Sequence, residues 1–146
     1  MRRALITLSL CAALAGCGGE DDPFAVYCDE VKEQQKPLTE TLAEPGPTAL
    51  IEALPSFEAL AEEAPEDISD EWSTLTGAIE GLIEALDEAG VEPDTYDRDR
   101  PPTDVTEEEQ AAIDAAARRL TAPETALALE AVQQQARDVC KTPLYL

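Results

Sequence analysis

The chain has 146 residues, with 32 acidic against 10 basic side chains and no histidine, a formal net charge of −22. So acidic a chain is a poor partner for nucleic acid or anionic lipid headgroups, and the lack of imidazole excludes every nucleophilic triad that uses histidine as its base. The length suits one domain, helices are favoured because Ala, Leu and Glu dominate over β-branched residues, and a hydrophobic content of 44% allows a core.

Met1-Arg2-Arg3 places positive charge ahead of an apolar run from Ala4 to Ala13. That run is shorter than the roughly 20 residues a membrane span needs, so residues 1–16 read as an export signal. The run ends in Leu14-Ala15-Gly16-Cys17, which resembles the lipobox of bacterial lipoproteins. In that family the cysteine thiol receives a diacylglycerol and the signal is cut just before it. The resemblance therefore implies Cys17 as an acylated mature N-terminus, held in a lipid bilayer on the extracytoplasmic face. The alternative is ordinary cleavage after Ala13-Leu14-Ala15, which would secrete a protein with Cys17 unmodified. Loss of Arg2 and Arg3 makes the remainder two units more negative than the −22 of the whole chain.

Residues 17–23 read as a short tether that keeps an acidic helical domain, residues 24–146, near the bilayer. From Phe24, the positions Cys28, Val31, Gln35, Leu38 and Leu42 mark one helix face to about Ala43, with a kink or restart expected at Pro37. Glu44-Pro45-Gly46-Pro47 is a breaker. A second unit, Thr48 to Ala64, carries Leu50, Leu54, Phe57 and Leu60, bent or split by Pro55. The third, Pro65 to Ala89, is the most regular. Ile68, Trp72, Leu75, Ile79, Leu82 and Leu86 form a bundle seam, Glu66 and Asp67 sit at the positive end of the dipole, and Gly90 stops the helix.

Residues 91–105 lack periodicity. Thr106 with Glu109 then makes a capping box, followed by a stripe of Ile113, Ala116, Ala117 and Leu120. Thr121 with Glu124 repeats the box around Pro123, so the last unit, Thr106 to Cys140, should break there. Leu129, Val132, Ala136 and Val139 face inward beyond it, and Leu144-Tyr145-Leu146 remains as an apolar tail. The expected fold is an all-α, up-down bundle of about four main helices.

An even number of up-down helices brings both chain ends to one end of the bundle. Cys11 leaves with the signal, and an acylated Cys17 leaves Cys28 and Cys140 as the two remaining thiols in an oxidising compartment. They are expected to form a disulfide.

Little catalytic chemistry is available. The serines after the signal are Ser56, Ser69 and Ser73, and a zinc site would have to rely on carboxylates and the paired cysteines. Asp94, Asp97, Asp99, Asp104, Glu107 and Glu108 form an oxygen-rich segment of the kind that suits calcium. Counted from Asp97, Asp99 fits the third position of an EF-hand loop, but Pro101 and Pro102 stand where an acid and the turn glycine belong. Arg98 and Arg100 add internal counter-charges. A solvated acidic loop without metal is expected, with Asp94, Asp97, Asp99, Asp104 and Glu108 the candidate ligands otherwise. Tyr96 either packs back on the bundle or belongs to a functional loop, and Trp72 is core unless it serves as a ligand platform. Gly77 and Gly81 fall opposite the seam, solvent-facing unless a partner or the apolar tail docks there.

The lipobox joined to APEDISDEW, AIEGLIEALDEAGV and VQQQARDVC resembles small exported proteins of actinobacterial type. In these, two cysteines bracket a helical domain, and no catalytic motif or cofactor is implied. The expected role is a membrane-anchored binding or interaction module, with a cationic envelope protein or cations as partners and no nucleic acid. The alternatives are a carrier or sensor of cations or small ligands, and a carboxylate-dependent envelope hydrolase.

Overall fold

A computed structural model describes residues 22–44 and 48–146. The signal, Cys17, most of the tether and Pro45-Gly46-Pro47 lie outside the described residues. Within them the chain forms six helices and no strand: α1 (Ala25–Ala43), α2 (Ala49–Glu52), α3 (Leu54–Glu62), α4 (Ser69–Glu88), α5 (Glu107–Leu120) and α6 (Pro123–Val139).

The seam of α4 is the axis of this all-α bundle. Trp72, Leu75, Ile79 and Leu86 are buried along one face, and α4 packs against α2, α3, α5 and α6. α1 lies against α2, α3 and α6 rather than on α4. It reaches the seam through side chains, with Tyr27, Cys28, Val31 and Leu38 joining Phe57, Leu60, Trp72, Val132 and Ala136 in one apolar cluster. Burying a side chain of this size stabilises by roughly 1.5–3 kcal/mol. Trp72 is fully buried, its Nε1–H donates to the Tyr27 hydroxyl at 3.3 Å, and its ring lies 6.1 Å from that of Phe57. Tyr27 departs from the heptad-like spacing Phe24, Cys28, Val31, so periodicity passes over it. Its burial pushes the phenol above the usual tyrosine range.

Several helix ends differ from the expected ones. α1 continues through Pro37. Both Pro37 and Glu33, whose carbonyl loses its donor to the proline ring, are exposed, so water can satisfy that carbonyl. The second unit splits at Ala53, which closes α2 and opens α3 with Pro55 in the first turn. α4 begins at Ser69, not Pro65. Pro65–Ile68 form a turn in which the Ile68 amide donates to the Pro65 carbonyl and the Ser69 hydroxyl to Glu66. The acids in the first turn of α4 are therefore Asp70 and Glu71, not Glu66 and Asp67. At its other end Gly90 takes φ +66°, with Gly90 N–H donating to Asp87 and Val91 N–H to Leu86, the paired bonds of a Schellman cap.

The Thr106–Glu109 box is formed: the Glu109 amide donates to Thr106 Oγ1 at 3.2 Å and the Thr106 amide to Glu109 Oε2 at 2.7 Å. The second box is not. Thr121 Oγ1 donates back to the carbonyls of Ala117 and Arg118, so its hydroxyl closes α5, and Ala122 opens α6 without a side-chain cap. The break itself falls where expected.

Cys28 and Cys140 are bonded, with Cα atoms 5.0 Å apart and a sequence separation of 112. The tail follows directly. Leu144 is buried in the core cluster, Gln35 Nε2 donates to the Pro143 carbonyl at 2.7 Å, and the Leu146 amide donates to Thr39 Oγ1 at 3.0 Å. It thus lies along α1, away from Gly77 and Gly81. Both of those glycines are half-buried, and a Cβ added at either would meet nothing within 4 Å.

On α6, both side-chain amide atoms of Gln135 are buried without a hydrogen-bond partner among the described residues. An unsatisfied buried amide costs roughly 1–3 kcal/mol, so Gln135→Leu is expected to raise the urea midpoint rather than lower it. Replacing both Cys28 and Cys140 by serine should have the opposite effect. Releasing a loop this long removes about 4–5 kcal/mol in the chain-entropy model, read as a large fall in melting temperature that reductant reproduces in the unaltered protein.

Candidate functional site

The acidic connection between α4 and α5 is pinned at three points. Val105 is buried, and its carbonyl accepts from Gln110 Nε2. Tyr96 is half-buried, its amide donating to the Glu92 carbonyl at 3.0 Å in a turn. Between them Arg98 crosses to α5 and meets Asp114 through two contacts, Nε to Oδ1 at 2.7 Å and Nη2 to Oδ2 at 3.1 Å. Such a two-pronged pair fixes geometry more than it adds stability, since exposed ion pairs contribute roughly 0–1 kcal/mol.

Behind this crossover lies a half-open apolar pocket of about 160 Å³. Leu82 and Leu86 of α4, Ile113 of α5 and Ile51 of α2 form its walls, with Tyr96 and Pro93 of the connection, and the Arg98–Asp114 pair closes one side. Ile51 and Pro93 also line a shallower groove that continues outward past Thr48, Glu52, Glu92 and Asp94. All three of those acids are exposed. An apolar recess thus opens at one end onto carboxylates, with a neutralised ion pair at the other.

The sequence candidates scatter around this site. Tyr96 lines the pocket and Asp94 the groove. Asp97 accepts from the Asp99 amide at 2.9 Å and pairs with Arg100 at 2.9 Å, so its oxygens are engaged within the connection. Asp99 and Asp104 are exposed, and Glu107 and Glu108 lie in the first turn of α5. Among the described residues no three acids or cysteines are grouped so as to hold a metal ion; the connection spreads its carboxylates along the surface instead of folding around a centre. Trp72 faces the core with no exposed surface, which leaves no ligand platform there. Cys17 lies outside the described residues. Sequence patterns placed Leu82, Leu86 and Ile113 on inward stripes, but nothing in the spacing foretold that Arg98 would reach Asp114 or that Ile51 would complete the wall.

Glu109 is the carboxylate with the clearest environment. The amide and hydroxyl of Thr106 both donate to it and hold it below its ordinary value of 4.5. Because the folded value lies below the unfolded one, its stabilising effect is complete above the unfolded value and fades as pH falls through the folded one. The stability gap between the unaltered protein and Glu109→Gln should therefore be present at neutral pH and close in acid, as urea midpoints measured from pH 7 down to about 3 would register. No protein-family model matches the chain, and comparisons with curated proteins and with solved structures return no match.

Proposed function

We propose that this chain is an extracytoplasmic lipoprotein, anchored to a membrane through acylated Cys17, whose acidic helical domain is a binding module for a cationic partner of the cell envelope. The Cys28–Cys140 bond carries the reading. It engages both thiols of the domain, and removal of Cys11 with the signal then leaves Cys17 as the single thiol available to lipid. Structural disulfides persist in oxidising, exported compartments, which agrees with the charged and apolar start of the chain. Two or more acyl chains are needed for a stable hold, and the short tether would keep the domain within a few nanometres of the bilayer.

A binding role fits the interior better than catalysis or carriage does. No aspartate or glutamate is buried among the described residues, whereas acid–base chemistry on carboxylates works best with a desolvated acid of raised pKa. The apolar pocket behind the crossover, about 160 Å³, is smaller than the roughly 300–1,000 Å³ typical of small-molecule sites, and the larger recess of about 460 Å³ beside Glu88, Thr106, Glu108 and Glu109 is more open to solvent and bordered by carboxylates.

Labelled fatty acid fed to producing cells tests the anchor. Label should appear on the exported protein, vanish in Cys17→Ser, and that variant should shift from the membrane to the soluble fraction. An unlabelled, freely soluble parent protein overturns the proposal.

A further inference from the structure

The pocket behind the α4–α5 connection and the groove beside it are one continuous surface, and together they select a particular chemistry. The enclosed part is lined by Leu82, Leu86, Ile113 and Tyr96 and measures about 160 Å³, close to the ~150 Å³ of an apolar cavity that accepts benzene. Its closed side carries a guanidinium already neutralised by Asp114. Its open side runs over Ile51 and Pro93 to Glu52, Glu92 and Asp94, and none of these three carboxylates has a cationic partner within 4 Å among the described residues. The apolar contact and the negative field thus lie in a fixed direction from one another.

We infer that this surface docks a basic segment of a partner protein, with one aromatic side chain seated between Leu82 and Ile113 and an adjacent lysine or arginine over Glu52, Glu92 and Asp94. The charge complementarity sets the occupant: an acidic or neutral segment meets three unpaired carboxylates, and an all-polar basic segment leaves the apolar recess empty. Lysine or arginine next to the aromatic residue reaches the groove, while the opposite rim, where Asp114 is already paired with Arg98, offers it no free carboxylate. The inference deepens the binding role proposed above and rests on it, but it does not depend on the lipid anchor.

The capped peptide Lys-Phe-Lys is the probe, titrated into the disulfide-bonded exported protein carrying labelled methyl groups. Shifts at the Ile51, Leu82 and Ile113 methyls are expected, with affinity falling as salt rises. Lys-Ala-Lys and Glu-Phe-Glu should bind at least tenfold more weakly. Glu92→Gln and Asp94→Asn, both at exposed positions and so harmless to folding, should each weaken Lys-Phe-Lys by about two- to fivefold. Ile113→Ala, checked for its melting transition, should weaken Lys-Phe-Lys and shrink the shifts at the Ile51 and Leu82 methyls while leaving the groove acids in place. Binding of Lys-Phe-Lys that shifts other methyls overturns the site but leaves the binding role standing. No binding at millimolar peptide, equal binding of Glu-Phe-Glu, or equal binding of benzylamine overturns the inference.

Discussion

The bond between Cys28 and Cys140 is the constraint on which the rest of this structure depends. A chain of net charge −22 resists compaction through self-repulsion, and its first helix meets the helix that organises the core only through side chains such as Tyr27 against Trp72. α1 touches α2, α3 and α6, and the covalent tie to the end of α6 holds Tyr27, Val31 and Leu38 over Phe57 and Trp72. The same tie seats the tail. Leu144 lies four residues past Cys140, so once the sulfurs are joined the chain runs along α1 and exchanges hydrogen bonds with Gln35 and Thr39.

Two unequal apolar regions follow from this arrangement. The main cluster surrounds Trp72 and is filled by aromatic and branched side chains from α1, α3, α4 and α6. Leu86, Val105 and Ile113 are buried outside it, as a satellite beneath a long connection, a recurring feature of domains with such loops. There the covering element is not a helix with a regular apolar stripe but a proline-rich, acidic segment. Pro93 and Tyr96 of that segment line the space between α4 and α5 without filling it, and Val105 is buried beside it. The pocket is the result of that mismatch, and the carboxylates that keep the segment soluble become its rim. The site therefore arises from the same property that made the connection unlike its neighbours.

Much of the helical architecture was legible in the residues. The α4 seam, the Thr106–Glu109 box, the stop at Gly90 and the break between α5 and α6 each depend on interactions within a few residues, so spacing reveals them. Other boundaries depended on competition. Pro65 is a good first-turn residue, but Ile68 and Ser69 form a turn with Pro65 and Glu66, and the helix starts after it. Thr121 has two uses for one hydroxyl, and bonding to the end of α5 excludes capping α6. Pro37 interrupts the hydrogen-bond ladder of α1 on its wet side, where the freed carbonyl is open to water and the apolar face continues unbroken. The apolar tail showed no preference for a docking surface by itself; its position is inherited from the disulfide.

Local chemistry was enough to determine from sequence alone that the chain is helical, acidic, without histidine, and able to pair Cys28 with Cys140 across its length. The identity of each buried stripe came from the same source, because a period near 3.6 residues is a property of one helix. Tertiary structure decided which stripes meet, that Tyr27 hydrogen-bonds Trp72, that Arg98 clasps Asp114, and that Ile51 and Pro93 join an apolar recess to three carboxylates. These contacts join residues distant in sequence or fall outside the helical repeat, so no spacing along the chain encodes them; they exist only once the helices have packed.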